Sequence, residues 1–216
     1  MTQNYNSHLE ALNEIRSLME RSSRFISLSG LSGVAAGLWA LIGAAAAYLY
    51  LGASPLDGKH LYYQQPIPIE KWGLDYLSFF LLDATLVLIL ALSSGIFFTT
   101  RKARQKGQLV WGPLTQRLLL NLALPLVAGG IFCLGLAYHG LMGLIAPTTL
   151  VFYGLALINT SKYTLNDIRY LGITEVALGL MALFLPGYGL EFWCIGFGLL
   201  HIIYGLILYF KYERTA

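Results

Sequence analysis

The chain has 216 residues, of which 56% are hydrophobic and only 12% are charged. The charged share is about half of that in an average soluble domain, so these residues cannot cover a soluble fold with a charged shell. The net charge is only +3, and the basic residues flank apolar runs instead of forming a stripe on a polar fold. Composition therefore excludes an ordinary soluble domain and argues against a nucleic-acid partner.

Residues 1–24 precede the first apolar run and are predicted to form a cytoplasmic amphipathic helix. Ser7 followed by Glu10 matches a capping box, and apolar side chains recur every three or four residues from Leu9 to Met19. Such a helix could lie on the membrane surface, pack on its own protein or pair with a partner's helix. Because its polar face carries both charge signs, we favour packing on protein, and residues 7–24 are the predicted contact for a cytoplasmic partner.

Residues 25–214 form the predicted membrane domain. A helix needs about 20 mostly apolar residues to cross a bilayer. Six runs meet this requirement, at about 25–51, 75–99, 118–138, 141–159, 168–186 and 191–210. The sequence therefore predicts an all-α bundle of six transmembrane helices.

The basic residues predict the orientation of this bundle. Short loops rich in Lys and Arg stay on the cytoplasmic side of a membrane. Six spans place twelve Lys and Arg residues on the side of the termini and only Lys59 and Lys71 on the other side. Both termini are therefore predicted to be cytoplasmic. The loop between spans two and three contributes most to this bias, through Arg101, Lys102, Arg104 and Lys106.

Small residues mark the predicted helix contacts, because they let helices approach closely in lipid. They are Ser29, Gly33 and Gly37 in span one, Gly179 in span five and Gly205 in span six. The spacing in span one predicts that this helix lies centrally in the bundle.

The chain also resembles itself. GLSGVAAGLWALI at residues 30–42 and GITEVALGLMALF at residues 172–184 are identical at seven of thirteen positions. YGLAL at residues 153–157 likewise resembles YGLIL at residues 204–208, and VAGG at residues 127–130 repeats the first pattern weakly. We interpret the chain as three helical hairpins of equal orientation.

The chain ends with GLMALFLP at residues 179–186 and GLLHIIYGLILY at residues 198–209, and its marked positions are Gly30, Gly37, Gly172, Gly179, Pro186, Gly198 and Gly205. A chain of three hairpins with these glycine-centred first helices and this ending resembles the HdeD-like acid-resistance membrane proteins. The resemblance covers the last hairpin and much of the first helix, whereas the N-terminal segment and the loop 53–74 depart from that family. Residues 21–33 also resemble a group of uncharacterised bacterial six-span membrane proteins, which tend to be encoded beside a small winged-helix regulator. Both resemblances imply a multi-pass protein of the bacterial inner (plasma) membrane and supply no catalytic residues.

Three ionisable residues, Asp83, Glu175 and His201, fall in the interior of the predicted spans, away from the span ends. An ionisable side chain at the bilayer centre costs roughly 2.5–3.5 kcal/mol, so such residues are candidates for function. With Asn121 and Arg117 nearer the cytoplasm, they could form a ladder that binds a ligand or relays protons. The alternative is that each group has only a structural role and forms an ion pair or hydrogen bond with a neighbouring residue, for example Glu175 with Arg117.

Other chemical signatures are missing from the sequence, which has no phosphate loop, HExxH motif, nucleophile elbow or paired-cysteine metal motif. Cys133 and Cys194 lie in apolar sequence, and we expect buried hydrophobic side chains unless the two helix ends touch. We therefore expect no catalytic residue, no cofactor and no metal.

Two functional interpretations follow. The first is a non-enzymatic membrane protein with a stress-response or regulatory role, acting through partners at residues 7–24 and the basic loop. The alternative is a small proton or solute transporter or channel that uses Asp83, His201 and Glu175. Six spans form a small bundle, so a pathway could require a homo-oligomer. The expected partners are thus the lipid bilayer, a second copy of the chain and a cytoplasmic protein, without nucleic acid.

Overall fold

The structure is a computed structural model that describes residues 28–54, 70–107, 110–185 and 187–214. The amphipathic helix predicted at residues 7–24 lies outside these residues. In the described part the chain is helical and forms no β-strand, which confirms the predicted all-α class. The helices are α1 (Gly30–Leu51), α2 (Tyr76–Gln105), α3 (Pro113–Tyr138), α4 (Ile145–Thr160), α5 (Asp167–Phe184) and α6 (Gly189–Tyr212).

Five of these helices are long and apolar enough to cross a membrane: α1, α2, α3, α6 and α4 with its flanking turns. α5 differs because Asp167, Arg169 and Glu175 all lie in its first half. Its 18 residues rise about 27 Å, slightly less than the hydrocarbon core of a bilayer. Its second half, residues 176–184, is entirely apolar.

α2 extends past its predicted end near residue 99 and continues to Gln105. Arg101, Lys102 and Arg104 therefore lie on the last helical turns of α2, whereas the sequence predicted that they lie in a loop. Positive side chains interact favourably with the carbonyl end of a helix, which explains why the basic run continues α2 instead of ending it. α3 then begins at Pro113, where a missing backbone N–H costs no helical hydrogen bond.

Two groups of helices make up the bundle. α1 packs between α2 and α6, and α4 packs between α3 and α5, while the first turns of α6 contact α4 and join the groups. In α3 only Gly129 is buried, and the outward side chains of Leu120, Leu124 and Ile131 are 66–72% exposed. An apolar surface of this extent would make a water-soluble monomer associate, whereas lipid covers it in a membrane.

Two helix crossings are built around glycines in the same register. A Cβ atom on any of these glycines would come closer than 3 Å to the partner helix, so the backbones are in contact. Each glycine of α1 in the first crossing corresponds to the glycine of α5 that lies 142 residues later in the chain. Each residue of α6 that it contacts corresponds to the residue of α4 that lies 51 residues earlier. The contacts are Gly30 on Gly205 and Tyr209, Gly37 on Gly198 and Ile202, Gly172 on Gly154 and Ile158, and Gly179 on Pro147 and Val151.

The two ends of the bundle differ in chemistry. At one, which we call the basic end, Lys102 donates to the Leu28 carbonyl oxygen at 2.6 Å and pairs with Glu213 at 3.4 Å. At the opposite, aromatic end, the rings of Tyr50 and Phe79 stack with centroids 3.9 Å apart. Because α1 and α2 contact each other at both ends, each helix runs the full height of the bundle.

Candidate functional site

Glu175 lies on the buried face of α5 and has no exposed surface. The helix places it between α4 and α6, where Leu150 of α4 is also completely buried. Neither carboxylate oxygen of Glu175 has a hydrogen-bond partner. An acidic side chain without a donor in the core of an apolar bundle is unusual, because buried polar groups are normally hydrogen-bonded.

His201 of α6 is the nearest ionisable neighbour of Glu175. Its Nδ1 atom lies 3.5 Å from Glu175 Oε1 and 3.0 Å from the Gly196 carbonyl oxygen. Its Nε2 atom lies 2.7 Å from the hydroxyl oxygen of Tyr153 on α4. Since a carbonyl oxygen can only accept, Nδ1 carries a proton, and the neutral imidazole then accepts the Tyr153 O–H at Nε2.

A local change in helix geometry positions these groups. Residues Cys194–Leu200 of α6 wind as a π-helix, a form that is rare and frequent at functional sites. Gly196 precedes His201 by five residues, and the wider turn puts its carbonyl oxygen beside the imidazole. A Cβ atom on residue 196 would lie 2.5 Å from Glu175 Oε2 and from Leu150 Cδ2. Glycine at this position therefore makes the space that the carboxylate occupies.

Together, Glu175, His201, Tyr153 and Gly196 form what we call the Glu175 cluster. An ionised carboxylate buried without a donor or a partner charge costs several kcal/mol. Glu175 must therefore hold a proton, share one with His201 or bind a cation. Its chemistry is that of a protonatable pair, with Tyr153 as a third group that can pass or accept a proton.

Asp83 lies at a different helix contact, between α2 and α1. Both of its carboxylate oxygens lie 3.4 Å from the position of a Cβ atom on Gly43. The side chain is half-buried, and in the described residues no hydrogen bond or ion pair joins it to Glu175 or His201. Of the three ionisable residues singled out in the spans, the structure brings two together.

Asn121 and Arg117 belong to a separate contact between α3 and α4. Asn121 donates to the Arg117 carbonyl oxygen at 2.8 Å, and its own backbone and side-chain oxygens accept from Asn159 at 3.0 and 3.1 Å. The Arg117 side chain is exposed. Glu175 is therefore not neutralised by Arg117, one of the two local partners considered from the sequence; the other, Arg24, lies outside the described residues.

The remaining candidates are distributed over the helix contacts and the basic end. Ser29 donates to Glu213 at 3.3 Å, and Gly33 faces the backbone of Gly205 and His201. Lys102 is buried, whereas Arg101, Arg104 and Lys106 are exposed. Cys133 and Cys194 are free thiols and half-buried.

Sequence reasoning missed Tyr153 and Gly196. Tyr153 stands in the repeated YGL motif, but its hydroxyl partner depends on how α4 faces α6. Gly196 is one of many glycines in the chain, and no spacing indicates the π-helical segment that brings it to His201. The one sequence signal for this site is the presence of Glu175 and His201 in predicted spans, because ionisable residues are rare there.

Among the described residues, no three His, Cys, Asp or Glu side chains lie close enough together to hold a metal ion. No family model, curated protein or solved structure matches the chain.

Proposed function

We propose that the chain is a membrane protein that binds protons at the Glu175 cluster and carries them, alone or with a small solute, across the bilayer. The observation that supports this is Glu175 itself, fully buried, without a hydrogen-bond donor, and 3.5 Å from His201. Proton relays within membranes use this combination of carboxylate and imidazole. The regulatory role, which was the first interpretation of the sequence, relies on the basic loop and on residues 7–24, and the latter lie outside the described residues.

The proposed path passes from Tyr153 through His201 to Glu175. A proton entering at Tyr153 can reach Nε2 of His201, because the hydroxyl and the imidazole are already hydrogen-bonded at 2.7 Å. Release of the Nδ1 proton towards Glu175 requires only a small rotation from the Gly196 carbonyl oxygen, since Glu175 Oε1 is 3.5 Å from the same nitrogen. Three helices thus contribute one group each, so their relative motion would open or close the path.

For the architecture, we propose six spans in three hairpins of equal orientation, with both termini in the cytoplasm of a bacterial inner membrane. The Lys and Arg distribution supports the orientation. The shared register of the α1–α6 and α5–α4 crossings supports the equivalence of α1 with α5 and of α6 with α4. The corresponding crossing of α3 on α2 is not formed, since a Cβ atom on Gly95 or Gly130 would meet nothing within 4 Å.

Proton flux into liposomes tests the proposed activity. Purified protein is reconstituted with a pH-sensitive dye inside, and a potassium gradient with valinomycin drives protons inward. We expect flux with the wild type, partial flux with Glu175→Asp, which keeps a carboxyl group, and only the leak of protein-free liposomes with Glu175→Gln.

Asp83→Asn is the matched control, because it removes another carboxyl group from the interior of a predicted span without touching the Glu175 cluster. Flux should persist in this variant. Wild-type flux no greater than the leak would refute the proposed activity, and equal flux in wild type and Glu175→Gln would refute the assigned site.

A further inference from the structure

A cavity of about 460 Å³ opens at the basic end, between the start of α1, the end of α2 and the end of α6. Its polar lining comes mostly from the last turns of α2, which contribute Arg101, Lys102, Gln105 and Lys106. Glu213 contributes the single acidic group of the lining. The cavity therefore has three cations and one anion, and it is separate from the Glu175 cluster.

The charge of Glu213 is already compensated. Its carboxylate accepts hydrogen bonds from the Ser29 hydroxyl at 3.3 Å and from the Gly30 backbone N–H, and it pairs with Lys102 at 3.4 Å. It thereby occupies the N-terminus of α1, the one helix N-terminus that borders the cavity. An incoming anion must therefore bind through side chains.

Arg101 and Lys106 are the cations that remain. Both are exposed at the cavity, and within the described part of the chain neither side chain has a hydrogen-bond or ion-pair partner. A guanidinium group binds two phosphate oxygens in a fork, and an ammonium group adds a second charge without fixed geometry. Two uncompensated cations on one wall suit a phosphate group.

The remaining lining is apolar and comes from Leu31, Phe98 and Tyr209. These side chains lie at the ends of helices that are long and apolar enough to cross a membrane, so the cavity lies at the depth of lipid headgroups. A phosphate site with an apolar wall at this depth matches an amphipathic anion. Basic pockets between helices at the cytoplasmic face bind anionic lipid headgroups in this way.

We propose that this cavity binds the phosphate of an anionic phospholipid headgroup, with Arg101 and Lys106 as the ligands of the phosphate and Leu31, Phe98 and Tyr209 against the glycerol and first methylenes. Lys102 and Glu213 fix the ends of the three helices around the lipid. A soluble phosphate compound shares the same chemistry, and the experiment separates the two sources.

Native mass spectrometry of the full-length protein in detergent tests the site. The protein is titrated with phosphatidylglycerol, with phosphatidylcholine and, separately, with glycerol phosphate and inorganic phosphate. We expect retained phosphatidylglycerol and little phosphatidylcholine. The double variant Arg101→Gln/Lys106→Gln should weaken phosphatidylglycerol binding about thirtyfold, because each basic side chain near the surface contributes about fivefold.

Arg104→Gln is the matched control, since Arg104 is exposed on the same helical turns but does not line the cavity. An unchanged thermal midpoint shows that each variant is folded. Equal losses in Arg104→Gln and in the cavity variants, or equal retention of the two lipids, would overturn the site. If the wild type binds inorganic phosphate and the double variant does not, the phosphate site is supported, but the proposal that its ligand is a lipid is overturned.

Discussion

Glu175 and Gly196 illustrate how one missing methyl group permits a buried charge site. The carboxylate of Glu175 occupies the space that a side chain on residue 196 would fill. In a close-packed interior an added carbon forces its neighbours to move, at a cost of typically 1–3 kcal/mol. The neighbours here are Leu150, which is itself fully buried, and the acid.

Gly196→Ala should therefore displace Glu175 from His201 and destabilise the protein by about 1–3 kcal/mol. Thermal unfolding in detergent measures the stability, and liposome flux measures the function, which should be lost. Gly95→Ala is the control, because a Cβ atom at residue 95 meets nothing within 4 Å. A Gly196→Ala variant with wild-type stability and flux would show that Glu175 does not depend on this space.

The two key ionisable residues could be chosen from the sequence because a carboxylate or an imidazole in an apolar run is rare and costly. Their neighbours could not be chosen. Tyr153 and Gly196 are residue types that membrane helices use widely for packing, and their roles arise from a π-helical segment and from the facing of α4 and α6. Asp83 met the same sequence criterion as Glu175, yet it lies at another helix contact.

Among the helices, α2 begins with a charged cap. The Asp75 carboxylate accepts hydrogen bonds from the backbone N–H groups of Leu77 at 3.1 Å and Ser78 at 3.3 Å. Hydrogen bonding by Ser78, through side chain and backbone, and then by Leu77 lowers the pKa of Asp75 below its ordinary value. Such a carboxylate stabilises the fold above its unfolded pKa and loses this contribution as the pH falls through the lowered folded pKa.

Asp75→Asn keeps a capping side chain but removes the titration. The thermal midpoint of the wild type should therefore fall relative to that of Asp75→Asn when the pH is lowered below about 4. Above that pH the difference between the two proteins should be constant. If the difference between the two thermal midpoints does not change as the pH is lowered, the charge of Asp75 does not contribute to the stability of the cap.

The paired crossings of α1 on α6 and α5 on α4 make a second prediction about the helices. Gly30→Ala and Gly172→Ala each place a Cβ atom against partner backbone, which cannot move as a side-chain tip does. Both should lower stability by similar amounts, about 1–3 kcal/mol. Gly130→Ala, in open space on α3, should cost nothing or stabilise the helix.

Thermal unfolding in detergent compares the three variants. The stability difference between wild type and Gly130→Ala serves as the reference. If the stabilities of Gly30→Ala and Gly172→Ala differ by more than this reference, the two crossings are not equivalent. Their positions followed from the internal resemblance of residues 30–42 and 172–184. That these glycines pack on α6 and α4, and not on one another, required the structure, because small-residue spacing marks a contact face without naming its partner.

For the whole molecule, the side of the membrane on which the loops before and after α5 lie depends on whether α5 crosses the membrane. Its first half carries Asp167, Arg169 and Glu175, and α5 is the one predicted span that is not among the described helices long and apolar enough to cross a membrane. Six spans place residues 162 and 188, on either side of α5, on opposite sides of the membrane. If α5 does not cross, both residues lie on the same side.

Single cysteines at these positions test the number of spans, in a background with Cys133→Ser and Cys194→Ser. In spheroplasts, a membrane-impermeant maleimide should label Tyr188→Cys directly but label Lys162→Cys only after permeabilisation. Gly107→Cys serves as the reference for the basic end and should behave like Lys162→Cys. Equal labelling of Lys162→Cys and Tyr188→Cys before permeabilisation would contradict six spans.

Much of the architecture could be predicted because long apolar runs have few alternatives to helices in lipid. The order of the helices in space could not, since apolar faces pack with little sequence specificity. α2 shows the limit at its basic end, where Arg101 and Lys102 were expected in a loop but continue the helix to Gln105. The cavity that these residues line was equally invisible, because it depends on the ends of α1 and α6.

The measurement that bears most directly on proton binding at Glu175 is infrared difference spectroscopy against pH in lipid nanodiscs. Asp83→Asn serves as the background, so that Glu175 is the one carboxyl group left in the interior of the predicted spans, away from Asp75 and Glu191 at their ends. We predict a carbonyl band of a protonated, buried carboxyl group that disappears as the pH rises and is missing when Glu175→Gln is added. A band that persists in the double variant, or a spectrum without any pH-dependent buried carboxyl signal, would contradict the assignment of Glu175 as the proton-binding group.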